Sequence, residues 1–228
     1  MTLAIFDLDN TLIAGDSDHL WGEFLVDQGI VDGEHFKATN DRFYHDYQQG
    51  RLDIHAYQRF VLKVLAEHPL ETLREWHRQF MEQVIQPIML PAAAELLRRH
   101  RARGDHLLII TATNDFITRP IAEKLGVDDL LATSAEMGRH GYTGNVIGVP
   151  CYRHGKVERL YAWLRETGHS AEGSWFYSDS HNDLPLLEHV SHPVAVDPDS
   201  TLARQARERG WPVISLRDGL LPETIPGE

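Results

Sequence analysis

An α/β fold, built on a doubly wound parallel sheet and interrupted by an all-helical block, is predicted by three features of the sequence. Short, continuous apolar runs recur along the chain, starting with "LAIF" at residues 3–6, and runs of this kind belong to strands covered on both faces. Amphipathic helical patterns alternate with them from residue 92 onward, and a strand–helix–strand order implies parallel strands with helices on both sides of the sheet. Residues 16–86 break the alternation, with helical periodicity and no convincing strand.

Taken in order, the first strand is 3–6. The block that follows reads as four helices, "DHLWGEFLVDQG", "GEHFKATNDRFYHDYQQG", "LDIHAYQRFVLKVLAEH" and "LETLREWHRQFMEQVI", separated by Gly29, Gly33, Gly50 and Pro69. These glycines and the proline are helix stops. The chain leaves the core near Ala14 and returns near Pro87 or Pro91. A helix at 92–103 ends at Gly104 and Asp105, and a second strand occupies 107–110. A helix at 116–125 follows, then "SAEMGRHGYTGNVIGV", whose glycine-rich turns and alternating apolar residues read as a β-hairpin. Further on come a helix at 156–166, a strand at 174–178, a short helix at 183–188, a strand at 194–196, a helix at 201–209 and a last strand at 213–216. Residues 1–15 and 87–228 thus form one core, with 16–86 inserted as a helical domain.

Composition narrows the function classes. The 228 residues carry a formal net charge of -12, which disfavours nucleic acid as a partner because phosphate backbones require basic patches. The longest apolar run, 107–110, is far too short for a membrane span. No basic region precedes a long apolar run at the start of the chain, so no secretory signal is expected. Cys151 is the only cysteine, which rules out an intrachain disulfide and fits a reducing compartment. A cytoplasmic location is the expectation. The 14 histidines show no zinc-binding spacing.

In an open parallel sheet, ligands bind at the carboxyl ends of the strands. Asp7, Asp9, Asn10 and Thr11 follow the first apolar run; Thr111, Ala112, Thr113 and Asn114 follow the second; Asp179, Ser180, Asn182 and Asp183 follow the third. Lys156 opens a helix and is within reach of the same rim. One such residue alone is ordinary: Asp183 suits a helix first turn, Thr111 a cap, Lys156 a solvated surface. Two acids after one buried strand exceed what capping needs, since burying charge is costly unless something pairs with it. Together the acids, hydroxyls and lysine form a set that holds a divalent metal and a phosphate. Mg2+, a hard cation, prefers such oxygen ligands.

"FDLDNTL", "IIT", "GK" and "SDSHNDLPLL" resemble, in order and spacing, the four motifs of the haloacid dehalogenase superfamily, whose core is Rossmann-like. The helical insert resembles the cap of its phosphoserine phosphatase-like branch. The resemblance implies a Mg2+-dependent phosphatase acting on a small phosphorylated metabolite. Asp7 would be the nucleophile that forms an aspartyl-phosphate, and Asp9 the general acid and then base. Thr111, Ala112 and Lys156 would bind the phosphoryl group. Asp7, the carbonyl of Asp9, and Asp179 would ligate the metal, with Asp183 orienting its waters or ligating directly. Phosphatases and mutases of the family keep an acid at the position of Asp9.

For the substrate, Asp16 sits at the offset from Asp7 where phosphoserine phosphatases place an acid that pairs with the substrate amine, although an N-cap role serves it equally well. Arg51 and Arg59 are candidates for a carboxylate-binding arginine, and Asn182 matches an Asn of the fourth motif. Ala112 and Thr113 replace the Gly-Gly pair of phosphoserine phosphatases, which makes histidinol phosphate a rival to phosphoserine. Two other functions use the same residues: phosphoryl transfer, as in a phosphotransferase or mutase, and a signalling module phosphorylated on Asp. Receiver domains of the latter kind lack a helical insert after the first strand. The sequence carries no signal for oligomeric state.

Overall fold

The computed structural model describes residues 2–217. Met1 and residues 218–228, assigned to the core from the sequence, lie outside the described residues. The chain begins with β1 (Leu3–Phe6) and enters a helical block: α1 (Ser17–Asp27), α2 (Gly33–Gln48), α3 (Ile54–Glu67) and α4 (Leu70–Phe80). A π-helical turn at Met81–Ile85 and a last turn, α5 (Gln86–Ile88), lead back to α6 (Pro91–Ala102). Then follow β2 (His106–Asn114), α7 (Asp115–Leu125), β3 (Asp129–Met137), β4 (Tyr142–Ile147), α8 (His154–Thr167), β5 (Trp175–Ser178), α9 (Leu184–Leu187), β6 (His192–Val196), α10 (Ser200–Arg209) and β7 (Val213–Ile214).

The strands form one sheet in the order β4-β3-β2-β1-β5-β6-β7. All pairings are parallel except β3 with the edge strand β4. Side-chain alternation explains the two-sided burial. Ala4 and Phe6 of β1 join Leu107 and Ile109 on one face, under α6 and α7. Leu3 and Ile5 join Leu108 and Ile110 on the other, under α8, α9 and α10. No helix among the described residues is long and apolar enough to cross a membrane.

Two strands differ from the sequence reading. Strand β2 continues four residues past the predicted end, because the polar side chains of Thr111–Asn114 find partners there: Thr113 Oγ1 reaches Asp9 and Asn114 caps α7. The hairpin is present, but its first strand starts at Asp129 rather than near Ser134, and this extension pairs parallel to β2. The predicted helix at 183–188 is a 3-10 turn, His181–Asp183, followed by the single turn of α9.

The helical block sits over the carboxyl ends of the strands. Its entry and exit are tied together by an antiparallel bridge between Ile13 and Met89 and by Ala14 N–H donating to the Ile88 carbonyl at 2.8 Å. Aromatic packing seats it on the core: Trp21 lies 5.7 Å from Phe116 of α7, centroid to centroid, and His77 Nε2 donates to the Ile117 carbonyl at 3.0 Å.

Candidate active site

Strand β1 delivers Asp7 into a buried position, 4% exposed, with its N–H still donating to the Tyr177 carbonyl of β5 at 2.9 Å. The chain then turns sharply through Asn10, at φ 58°, a conformation asparagine tolerates better than most residues. The turn presents Thr11 to β5: its hydroxyl donates to Asp179 at 3.2 Å and accepts from the Asp179 N–H at 3.1 Å.

Lys156 arrives from the opposite side. The start of α8 fits closely against the preceding loop, so that a Cβ on Gly155 would lie 2.1 Å from the Pro150 carbonyl oxygen. This close approach permits only glycine and aims the next side chain inward. Lys156, 3% exposed, donates to Asp7 Oδ1 at 2.7 Å and to the Asp183 carboxylate at 2.8 Å. Asp183 also accepts from Ser178 Oγ at 2.7 Å.

Asp9 is fixed separately. One carboxylate oxygen accepts from the Ser17 N–H at 2.7 Å, and the other from Thr113 Oγ1 at 2.9 Å and Thr111 Oγ1 at 3.3 Å. Ala112 contributes its carbonyl to Thr133 Oγ1 at 2.8 Å and to Gln58 Nε2 at 3.4 Å. The β1 and β2 ends are thus laced together around the two acids.

The cluster is short of positive charge. Burial pushes Asp7 up to about 7, with Asp183 and Asp9 adding to the rise and Lys156 opposing it. Asp179 is raised well above its ordinary value by burial, then by Asp7 and Asp183. Burial pulls Lys156 down, but the attraction of Asp183 and Asp7 outweighs it, so the ammonium is held above its ordinary value. One lysine facing several buried acids leaves an excess of negative charge. An all-oxygen donor set with such an excess fits a hard divalent cation. Among the described residues no three His, Cys, Asp or Glu side chains form a ready-made cage. Two carboxylates, a main-chain carbonyl and waters match the way Mg2+ is usually bound.

A cavity of about 40 Å³ lies between the strand ends and the helical block. Asp7, Asp9, Thr111, Ala112 and Thr113 form its floor, and Asp16, Asp18, Phe43, Tyr44 and Tyr57 are among its walls. Asp16 N-caps α1, accepting from the N–H groups of Asp18 and His19, and it also lines the cavity. The other two substrate candidates lie elsewhere. Arg59 is exposed on α3 and outside the cavity wall, because its helix turns Tyr57 and Gln58 inward instead. Asn182 joins the helical block to the core: its Oδ1 accepts from Tyr152 and from Arg153 Nε, each at 3.1 Å, and its Nδ2 donates to the Tyr47 carbonyl at 3.0 Å. Arg51 is exposed and paired with Asp46 at 2.9 Å.

Sequence reasoning passed over Asp18, the tyrosines and Gln58. In sequence, "DSD" at residues 16–18 is a run of capping residue types, which gives Asp18 no separate signal. Tyr44 and Tyr47, one helical turn apart on α2, were a readable stripe without a readable direction.

Comparison with known proteins agrees with this geometry. Residues 4–188 match the family model of haloacid dehalogenase-like hydrolases. A histidinol-phosphatase of Neisseria meningitidis is 47% identical over 219 residues, covering 94% of this chain and 99% of the relative. A phosphoserine phosphatase of Mycobacterium tuberculosis is 29% identical over 94% of this chain and 70% of the relative. Among solved structures, a Bordetella pertussis protein of unknown function superposes with a TM-score of 0.89 at 42% identity, covering 95% of this chain and all of the other. A substrate-bound phosphoserine phosphatase shares the fold with a TM-score of 0.71 at 19% identity, over 95% of each chain. With four motifs brought to one rim, a family model spanning most of the chain and a close full-length relative, the chain belongs to the haloacid dehalogenase-like hydrolases.

Proposed function

We propose that the protein is a Mg2+-dependent phosphomonoesterase that works through an aspartyl-phosphate on Asp7. The observation that carries this reading is the convergence of Asp7, Lys156 and Asp183 at 2.7 and 2.8 Å, beside an Asp9 held by two threonines.

In this reading an Asp7 oxygen attacks the substrate phosphorus and the bond to the alcohol oxygen breaks. Asp9 gives its proton to the departing alcohol. Asp9 then takes a proton from water, the resulting hydroxide attacks the same phosphorus, and the bond to Asp7 breaks to release inorganic phosphate. Splitting the hydrolysis in two replaces one difficult step with two easier ones. Lys156, Thr111 and the main chain of Ala112 hold the phosphoryl oxygens and offset charge as it builds. Asp7, the Asp9 carbonyl and Asp179 would hold the cation, with Asp183 steadying its waters. When bound, the metal supplies Lewis-acid stabilisation of the phosphoryl oxygens.

The helical insert, residues 16–86, would act as a lid over the core. The cavity beneath it is narrow, with about 40 Å³ of water-sized space, and opening of the block would admit substrate. Closure then excludes water from the first step. The substrate is a small phosphorylated metabolite of amino-acid-like character, with histidinol phosphate and phosphoserine the two candidates. The test is phosphate release from both, and from an aryl phosphate, with Mg2+ and with EDTA. Metal-dependent release supports the reading; a folded protein that releases phosphate from none of them contradicts it.

A further inference from the structure

A second cavity lies at the seam between the helical insert and the core. It is a cleft of about 650 Å³, bounded by α4 and the π-helical turn on the insert side and by α7, β3 and β4 on the core side. That volume falls within the roughly 300–1,000 Å³ usual for small-molecule sites. It shares no lining residue with the cavity over Asp7, and phosphate chemistry leaves it unused.

Its charge is opposite to that of the molecule as a whole. Arg74, Arg78 and Arg119 line it against Glu82 and Asp115, three cations against two acids, in a chain whose formal net charge is -12. Arg78 is taken by Glu75 and Glu82, at 2.7 and 2.8 Å. The other two guanidiniums are not held in this way. Among the described residues no ion pair or hydrogen bond engages Arg74. Arg119 comes only within 3.9 Å of Asp115, beyond hydrogen-bond range, and the other Asp115 oxygen accepts from the Ala135 N–H at 3.0 Å. The two arginines nevertheless converge: both pull on the Tyr142 hydroxyl, against the rise that burial and Asp115 impose on it. Arg74 belongs to the insert and Arg119 to the core, so two like charges border one space from opposite sides. An anion between them relieves the repulsion, and the guanidinium fork suits an oxyanion.

The surface that accompanies the arginines is apolar. Phe116 packs edge-on against Tyr142, with ring centroids 5.6 Å apart, and Met81 and Met137 share the same wall, Met137 at 47% exposure. Methionine beside aromatic rings adapts to an apolar body of varied shape. Inorganic phosphate would leave this surface uncovered, whereas an organic acid with an aromatic body would use both halves of the cleft.

We infer that the cleft binds a small organic acid with an aromatic body, its anionic group held between Arg74 and Arg119 and its body on Phe116, Tyr142 and Met137. Because the two arginines come from opposite sides of the seam, the bound acid ties the insert to the core. The inference does not depend on the phosphatase reading.

The probe is 1-anilinonaphthalene-8-sulfonate, an aromatic sulfonate that fluoresces on apolar surfaces, titrated onto the full chain in EDTA. Without a metal, the cavity over Asp7 offers an anion Asp7, Asp9, Asp16 and Asp18 and, among the described residues, no Lys or Arg. Saturable binding of one equivalent is expected, displaced by 1-naphthoate but not by equal concentrations of 1-naphthylmethylamine or inorganic phosphate. Arg74→Gln and Arg119→Gln are each expected to raise Kd about tenfold. Arg98→Gln, which removes the same charge from an exposed position on α6, is expected to leave it unchanged. Circular dichroism checks that each variant is folded. Absence of saturable binding, displacement by the amine or by phosphate as effective as by 1-naphthoate, or an unchanged Kd in folded Arg74→Gln or Arg119→Gln overturns the inference. Turnover is not read in this experiment, so its failure leaves the phosphatase reading standing, and failure of that reading leaves this site standing.

Discussion

The Lys156 ammonium lies 2.7 Å from Asp7 Oδ1, across a separation of 149 positions in the chain. Both side chains are buried, at 3% and 4% exposure. A buried pair of this kind is weak evidence for stability, because desolvation offsets much of the attraction, but removing one partner strands the other. Lys156→Met is therefore expected to destabilise the protein by about 3–5 kcal/mol in urea unfolding and to slow turnover about 100- to 1,000-fold. In an Asp7→Asn background the same substitution is expected to cost less stability, since it then strands only Asp183 and no longer Asp7 as well. Equal costs in both backgrounds would show that the two groups do not interact.

Asp16 provides a pH-dependent prediction. Burial, with Asp9 adding to it, pushes its carboxyl up to about 7, against the backbone N–H groups it accepts from. Its folded value lies above its unfolded one, so the ionised acid works against folding above about pH 7 and the effect vanishes below the ordinary carboxylate range. Asp16→Asn retains an N-cap side chain without the charge. Thermal unfolding at pH 8 is expected to show the variant more stable by about 1–2 kcal/mol, discounted for the partial exposure of the site. The gain should disappear near pH 4.

Thr113 positions Asp9 through its 2.9 Å hydrogen bond. Thr113→Val keeps the volume and removes the donor. Turnover of an aryl phosphate is expected to fall about tenfold or more through kcat, with Thr113→Ser restoring most of it. If Thr113→Ser is as impaired as Thr113→Val, the hydroxyl is not what matters.

The strand ends were legible because each buried apolar run stops where polar side chains begin, which put Asp7, Asp9, Thr111 and Asp179 at one edge without knowledge of the fold. The helical block was legible as helices, since glycines 29, 33 and 50 punctuate a clear 3.6-residue pattern. Its seating on the core was not. Periodicity says which face of α3 is apolar, but the block's contact with β2 turns Gln58 inward to the Ala112 carbonyl and leaves Arg59 in solvent. The same limit applies to Asp18, which is buried and accepts from the Tyr57 hydroxyl of a different helix. Strand β2 ran past its expected end because polar residues in a strand are satisfied by partners distant in sequence, as Thr113 is by Asp9, 104 positions away.

The most direct test of the account is acid-quenched mass spectrometry of the protein mixed with an aryl phosphate and Mg2+ for a fraction of one turnover. A phosphoryl group is expected on the peptide that contains Asp7, labile to base, formed and lost at rates that account for phosphate release, and absent from Asp7→Asn and from the EDTA-treated protein. Steady phosphate release with no label on Asp7 at any quench time, or undiminished release from folded Asp7→Asn, would contradict the assignment of Asp7 as the nucleophile.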